Sequence, residues 1–176
     1  IIAAIQDGIA VIDQRVAHER IRYEEVLDAL KREGASSQHL LFPLTLELGP
    51  EEIDAYRQAE ELFARLGFGV REFGANTVIV DAVPTDLRNW NEGRVFRQIL
   101  GDLLEELEGR SEATEALAAS VACHTSIRAG ERLPPDELEP LVRRLLETRE
   151  PFVCPHGRPI IVRIPLNELD RMFGRV

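Results

Sequence analysis

Two short segments, far apart in the sequence, carry side chains that can bind a metal ion. Asp13, His18 and Glu19 stand where an apolar strand pattern gives way to a helical one, so they project from a rigid edge. Cys154 and His156 stand two residues apart in a loop bounded by proline and glycine. A thiolate and an imidazole at that spacing can reach one ion. The simpler interpretations are a helix cap with solvated charges and a small buried cysteine, and spacing alone leaves both open.

A third candidate is the pair Cys123-His124, within a helical segment rich in small residues. Thiolate and imidazole ligands favour zinc, whereas carboxylates also suit harder ions such as manganese and magnesium. The three segments together offer both kinds of ligand. Their residue types alone do not say which reaction, if any, the ion would serve.

The first of these segments follows a predicted β-hairpin. Ile1–Gln6 and Gly8–Asp13 are apolar runs on either side of the turn-forming pair Asp7-Gly8. After Asp13 the apolar residues recur with helical spacing, which predicts a helix with Asp13 as its N-cap and Gly34 as its stop.

The rest of the chain alternates helical and strand patterns, which predicts an α+β fold. Leu40–Leu48 is strand-like, and Phe68–Phe73 with Thr77–Val83 predicts a second hairpin. One helix begins at Gly49-Pro50, and its apolar stripe consists of Ile53, Tyr56, Ala59, Phe63 and Leu66. The remaining predicted elements are a helix near Glu92–Leu107, a helix over Thr114–Arg128, a helix from Pro134-Pro135, a strand over Ile160–Pro165 and a helix over Asn167–Phe173.

Composition excludes several classes of protein. The 176 residues carry a net charge of −10, which argues against tight charge-driven nucleic-acid binding by this chain alone. The sequence has no apolar run long enough for a membrane span, and its opening residues lack the pattern of a secretory signal, so we expect neither feature here. Two cysteines exclude a disulfide framework and favour a reducing compartment. The chain opens on Ile-Ile-Ala-Ala-Ile, which resembles the middle of a strand, so we expect it to belong to a longer protein.

Four motifs, taken in order, resemble a known family. The segment from Asp13 to Glu24 is similar to the DQHA-x2-E-x4-E signature of the MutL-type DNA mismatch repair endonucleases. Ala122-Cys123-His124 resembles the ACR-type motif of that family. Cys154–Pro159 matches its CPHGRP motif fully, and Phe173-Gly174-Arg175 matches its FxR ending. The resemblance covers essentially the whole chain as the C-terminal dimerisation and nuclease region, and implies an ATPase region that precedes it.

The resemblance implies how the chain is divided and what its site does. Residues 1–36 plus 112–176 would form a dimerisation subdomain, and residues 37–111 an inserted external, regulatory α+β subdomain. The implied metal ligands, which would bind zinc, are Asp13, Glu19, Cys123, Cys154 and His156. Asp13 and Glu19 would act in catalysis, with manganese or magnesium supporting strand cleavage.

The implied function is a latent DNA-nicking endonuclease in a homodimer. The alternatives are a non-catalytic dimerisation scaffold with a structural or zinc-only site, and a zinc-stabilised regulatory module. The implied partners are double-stranded DNA, the replication sliding clamp and a MutS-type mismatch recognition protein. The implied location is the bacterial cytoplasm, in association with the nucleoid.

The first motif departs from the family pattern at Arg15 and at the next residue, where Val16 replaces the family's alanine. Arg15 stands where the family has a histidine, and a guanidinium cannot coordinate a cation. Arg15 lies four residues before Glu19, so it could pair with that residue or hold a substrate phosphate. His18 is the nearest replacement donor, and His124 stands in place of the usual basic residue after the motif cysteine.

A further segment resembles a partner-binding motif. Gln38, Leu41 and Pro43 fit the pattern Q-x2-[LI]-x-P with which family members engage the sliding clamp. Phe42 precedes a proline, which favours an extended backbone that can insert Leu41 into an apolar pocket. The alternative is that Leu41 and Phe42 simply begin a buried strand.

Overall fold

Strands and helices are interspersed along the protein, as the sequence predicts. A computed structural model describes residues 1–32, 35–85, 87, 90, 93–108 and 112–175. These residues form β1 (Ile2–Ile5), β2 (Gly8–Ile12), α1 (Gln14–Lys31), β3 (Ser37–Glu47), α2 (Pro50–Arg65), β4 (Gly69–Glu72), β5 (Thr77–Pro84), α3 (Arg94–Glu108), α4 (Ala113–Thr125), α5 (Pro135–Glu147), β6 (Ile161–Pro165) and α6 (Leu166–Met172). Two small antiparallel sheets together with these helices confirm the predicted α+β class. None of the described helices is long and apolar enough to cross a membrane.

The chain divides into two units, each with its own core. The first unit comprises Ile1–Arg22 and Ser126–Val176, and the second comprises Tyr23–Thr125. These bounds differ from 1–36 plus 112–176 and 37–111 because residues of α1 and α4, such as Val26, Leu30 and Val121, are buried in the second core. The regulatory and dimerisation roles of the two predicted subdomains stay predictions.

The sheet of the first unit has the strand order β1-β2-β6. Ile5 pairs with Gly8, so the hairpin turn is formed by Gln6 and Asp7, and the predicted Asp7-Gly8 turn was wrong by one residue. Gly8 is part of β2 and pairs with Pro165 of β6, whose backbone lies so close that it leaves no room for a side chain. A Cβ atom at Gly8 would lie 2.2 Å from the carbonyl oxygen of Ile164, and the φ of +154° is rare for other residues.

Helix α1 begins as the sequence predicts. Oδ1 of Asp13 accepts hydrogen bonds from the backbone N–H groups of Arg15 at 2.9 Å and Val16 at 3.1 Å, which is the geometry of an N-cap. The described helix ends at Lys31, and the predicted stop at Gly34 lies outside the described residues. Ala17 and Ile21 of this helix pack into the first core, whose other buried members are Ile12, Ile127, Leu141, Leu145, Cys154 and Ile160.

The second unit contains the sheet β3-β5-β4 and the helices that cover it. The predicted stripe of α2 is buried in full, at Ile53, Tyr56, Ala59, Phe63 and Leu66. Helix α2 begins after Gly49, whose N–H donates to the Glu52 carboxylate at 2.6 Å. The predicted hairpin around residues 74–76 is confirmed, whereas Glu92 of the predicted third helix lies outside the described residues.

Aromatic side chains occupy the centre of this second core. The ring of Phe96 lies 5.2 Å from that of Phe63, 5.9 Å from Phe68 and 6.3 Å from Tyr56, measured between centroids. The Tyr56 hydroxyl donates to the Val70 carbonyl at 3.2 Å. Burial, together with the negative charges of nearby glutamates, raises the pKa of Tyr56 to about 12.

Candidate metal centre

Glu19 supplies a buried carboxylate in the second turn of α1. Its side chain is 7% exposed, and Oε1 lies 2.9 Å from Nδ1 of His156. A buried carboxylate is costly unless a cation or hydrogen-bond donors compensate it. The contact with His156 provides one such partner and brings the two ends of the sequence together.

The CPHGRP segment forms a tight turn before β6. The N–H of Cys154 donates to the carbonyl of Arg158 at 2.9 Å, and the N–H of Gly157 donates to the carbonyl of Cys154 at 2.9 Å. Gly157 has a φ of +77°, a left-handed conformation that favours glycine. Val153 and Pro159 pair across the turn as a short β-bridge. The backbone of the motif is therefore held in place by hydrogen bonds within the turn.

The Cys154 side chain is buried and hydrogen-bonded within this turn. The N–H of Arg158 donates to its Sγ at 3.3 Å, and the residue is 3% exposed. A backbone N–H that points at sulfur stabilises negative charge there. The turn thus presents a sulfur ligand whose position is set by the backbone.

Glu19, Cys154 and His156 form the candidate metal centre. Their donor atoms all lie within 4.8 Å of one another, and no other group of three such residues does so among the described residues. A carboxylate, a sulfur and an imidazole nitrogen that converge in this way can bind one divalent ion, which takes the deprotonated forms of these groups. Sulfur, nitrogen and oxygen donors are typical of zinc, and three protein ligands are typical of catalytic zinc sites.

Other predicted site residues lie outside this donor cluster. Asp13 is exposed at the start of α1, and its Oδ1 caps that helix. Arg15 is exposed on the first turn of α1, and His18 is half-buried on the same helix. Their roles as catalytic group, phosphate contact and substitute ligand stay predictions.

Cys123 and His124 belong to the second unit. Cys123 is half-buried on α4, and its place among the metal ligands stays a prediction. Nε2 of His124 lies 2.8 Å from Oδ2 of Asp102, which also accepts a hydrogen bond from the Ser120 hydroxyl at 3.0 Å. His124 therefore has a carboxylate partner on α3.

Arg20 is the residue that sequence reasoning missed. Its side chain is 6% exposed, Nε donates to the Val153 carbonyl at 2.7 Å, and Nη2 lies 3.2 Å from the Glu150 carboxylate. The sequence did contain a signal. Arg20 stands four residues after Val16 and three before Tyr23, which places a basic residue within the apolar face of the predicted helix.

The segment that resembles a clamp-binding motif, with Gln38, Leu41 and Pro43, lies on β3 of the second unit. The register of β3 against β5 shifts between His39 and Leu44, so the residues between them leave the ladder. Leu41 is 87% exposed and Phe42 is 80% exposed. The alternative that these two residues begin a buried strand is therefore wrong for the described chain.

The fold and the donor set define an α+β protein with a candidate zinc centre built from one helix and one loop. A sequence model described as the MutL C-terminal dimerisation domain matches residues 1–133. The chain therefore belongs to the MutL C-terminal dimerisation domain family.

Longer relatives carry a name that agrees with this family. The chain is 41% identical over 176 residues to the DNA mismatch repair protein MutL of Chlorobaculum parvum. It is 40% identical to the proteins of that name from Chlorobaculum tepidum and Prosthecochloris aestuarii. In each case 99% of this chain is covered, and the chain spans 28% of the length of the relative.

Proposed function

We propose that this chain is the metal-dependent DNA-nicking and dimerisation region of a MutL-type mismatch repair protein. The observation that supports the nicking activity is the cluster of Glu19, Cys154 and His156, in which three zinc-type donors lie within 4.8 Å of one another. Family membership supports the mismatch repair role.

Phosphodiester hydrolysis needs charge neutralisation at the phosphoryl oxygens and an activated water, and a bound metal ion supplies both. Glu19 and Cys154 would hold zinc from the buried side of the site. His156 is exposed, with 37% of its side chain accessible, so the site opens to solvent at this ligand. Asp13 would add a second carboxylate for manganese or magnesium at the start of the same helix.

DNA binding by this region alone should be weak. The net charge of −10 opposes association with phosphates. Arg15 is exposed one helical turn before Glu19 and would contact a substrate phosphate there. Activity would therefore be latent until partners hold the DNA in place.

The nicking activity predicts a specific loss. With Mn2+ present, the chain should slowly convert supercoiled plasmid to open circles. Glu19→Gln should lower that rate by about 100-fold or more, because it removes a metal ligand, and loss of a group that only orients a ligand already costs about 10–100-fold. Glu137→Gln is the matched control, because Glu137 is an exposed glutamate on α5 of the same unit. The measurement is gel densitometry of nicked plasmid over time.

Equal nicking by the parent and Glu19→Gln would contradict the proposed activity. Zinc binding without Mn2+-dependent nicking, by this chain or by a full-length protein that contains it, would support the non-catalytic scaffold instead.

Dimerisation would use the exposed face of the first sheet. Strand pairing places six apolar side chains on this face: Ile2, Ala4, Ile9, Val11, Val162 and Ile164. Ile2 is 73% exposed and Val162 is 49% exposed. An apolar sheet face of this kind is suited to a symmetric interface with a second copy of the chain.

The mismatch repair role carries further proposals. A MutS-type mismatch recognition protein and the replication sliding clamp would be partners of the intact protein. Its location would be the bacterial cytoplasm, near the nucleoid.

The clamp would bind the exposed bulge of β3. Gln38 and Pro43 are exposed on either side of Leu41, which offers a large apolar side chain to a pocket. Because such a motif is short, the interface is small and the affinity modest.

Leu41→Ala should weaken binding to a purified bacterial sliding clamp by about tenfold or more, because a fully buried leucine contributes about 1.5–3 kcal/mol. The fold should be unaffected, since Leu41 is 87% exposed. Thr45→Ala, at an exposed position on the same strand, is the control. Isothermal titration calorimetry measures both, and an unchanged Kd for Leu41→Ala would show that the segment does not contact the clamp.

A further inference from the structure

The loop that carries Cys154 and His156 is held at one end to helix α1 and at the other end to the N-cap residue that precedes this helix. At its entry, Nε of Arg20 donates to the Val153 carbonyl at 2.7 Å. At its exit, the N–H of Asp13 donates to the Ile160 carbonyl at 3.1 Å. The two loop ligands lie between these contacts, and the third ligand lies on α1 itself.

Arg20 makes the entry contact through a geometry that only arginine can supply. Nε bonds to Val153, while Nη2 reaches the Glu150 carboxylate at 3.2 Å. The guanidinium is planar and rigid, so the contact of Nη2 with Glu150 also fixes the position of Nε against the Val153 carbonyl. A lysine ammonium is a single point charge on a flexible stem and cannot occupy both positions.

Arg20 also lies next to a ligand in the sequence. Glu19 and Arg20 are consecutive residues of α1, and Val153 and Cys154 are consecutive residues of the loop. The hydrogen bond from Arg20 to Val153 therefore connects the neighbour of the ligand Glu19 on α1 to the neighbour of the ligand Cys154 in the loop. Any displacement of the Val153 carbonyl moves Cys154 relative to Glu19.

We propose that Arg20 is a positioning residue of the metal centre, which sets the separation of the Cys154 sulfur from the Glu19 carboxylate. The proposal rests on the metal site of the proposed function. In this proposal Arg20 is not itself a ligand of the ion. It acts through the loop backbone, as the groups around metal ligands commonly do.

The expected effect is a loss of metal affinity with the fold retained. Arg20→Met and Arg20→Lys should each weaken binding of Zn2+ by about 10–100-fold, the usual cost of removing a group that orients a ligand. Titration of the metal-free chain with Co2+ should also show a weaker thiolate-to-cobalt absorption band and altered visible bands. Circular dichroism of the metal-free variants reports the fold separately.

Arg143→Met is the matched control. Arg143 belongs to the same unit but is exposed on α5, where it pairs with Glu139 at 2.7 Å. Exposed pairs of this kind contribute little, so this variant should bind Zn2+ and Co2+ as the parent does.

The outcomes separate the two proposals. A parent chain that binds neither Zn2+ nor Co2+ would overturn the metal site itself. A parent that binds them, with Arg20 variants that match its affinity and its cobalt spectrum, would overturn only the role of Arg20. Loss of the fold in both Arg20 variants would also overturn it, in favour of a purely structural contact. Arg20→Lys keeps the charge and the long stem, so it is the variant expected to fold if Arg20→Met does not.

Discussion

Replacing Cys154 by serine should leave the purified chain without tightly bound zinc, whereas the parent protein should hold about one ion per chain. Thiolate is the softest donor of the cluster and the one that most favours zinc, and a serine hydroxyl does not ionise to replace it. The backbone of the turn does not depend on the sulfur for its N–H to carbonyl bonds, so the variant should still fold.

Elemental analysis of protein purified without chelator measures this effect. Cys123→Ser is the variant for comparison, because Cys123 is the other cysteine and lies on α4 of the second unit. Equal loss of zinc in both variants would add Cys123 to the ligands, and retention in Cys123→Ser would restrict the site to the three clustered donors. A zinc-free parent, or full zinc content in Cys154→Ser, would contradict the site.

Phe96→Ala should destabilise the protein by about 3–5 kcal/mol, the usual cost of truncating a buried phenylalanine. Phe96 is fully buried, and its ring contacts those of Tyr56, Phe63 and Phe68. Removal of its ring leaves a cavity among rings that cannot close over it. Against a total stability of about 5–15 kcal/mol, this loss is large.

Urea unfolding followed by circular dichroism measures the change in the free energy of unfolding. Phe73→Ala is the matched control, since Phe73 is 61% exposed and its truncation should cost less than about 0.5 kcal/mol. Similar midpoints for Phe96→Ala and the parent would show that this aromatic cluster does not hold the second unit together.

Local signals predicted much of the fold. Asp13 is the N-cap of α1, and the apolar stripe of α2 is buried, because both patterns depend on residues only a few positions apart. The turn before Gly8 was displaced by one residue because β6, far away in the sequence, determines which residue must be glycine. Likewise, the bulge in β3 depends on pairing with β5, which spacing within β3 does not reveal.

The candidate site, too, depends on contacts between distant segments that local spacing does not reveal. Glu19, Cys154 and His156 were grouped by resemblance to family motifs, since no local period links α1 to a loop near the end of the chain. Arg20 was missed because its partners, Val153 and Glu150, belong to that distant loop. The spacing from Val16 and Tyr23 places Arg20 within the apolar face of α1, but it does not indicate which acceptors compensate the buried charge.

The hydrogen bonds within the CPHGRP turn have a consequence for how an ion would be loaded. Cys154 and Gly157 donate their N–H groups to carbonyls within the segment, and Ile160, just after it, donates to Phe152, just before it. The backbone of the turn is therefore held by hydrogen bonds that do not use the ligand atoms. Zinc fingers differ, because there the ion drives folding and its removal denatures the domain. Here the ligands are preorganised, and little of the binding free energy is spent on ordering the chain. The ion could therefore be taken up after folding, and exchanged for another, without unfolding of the protein.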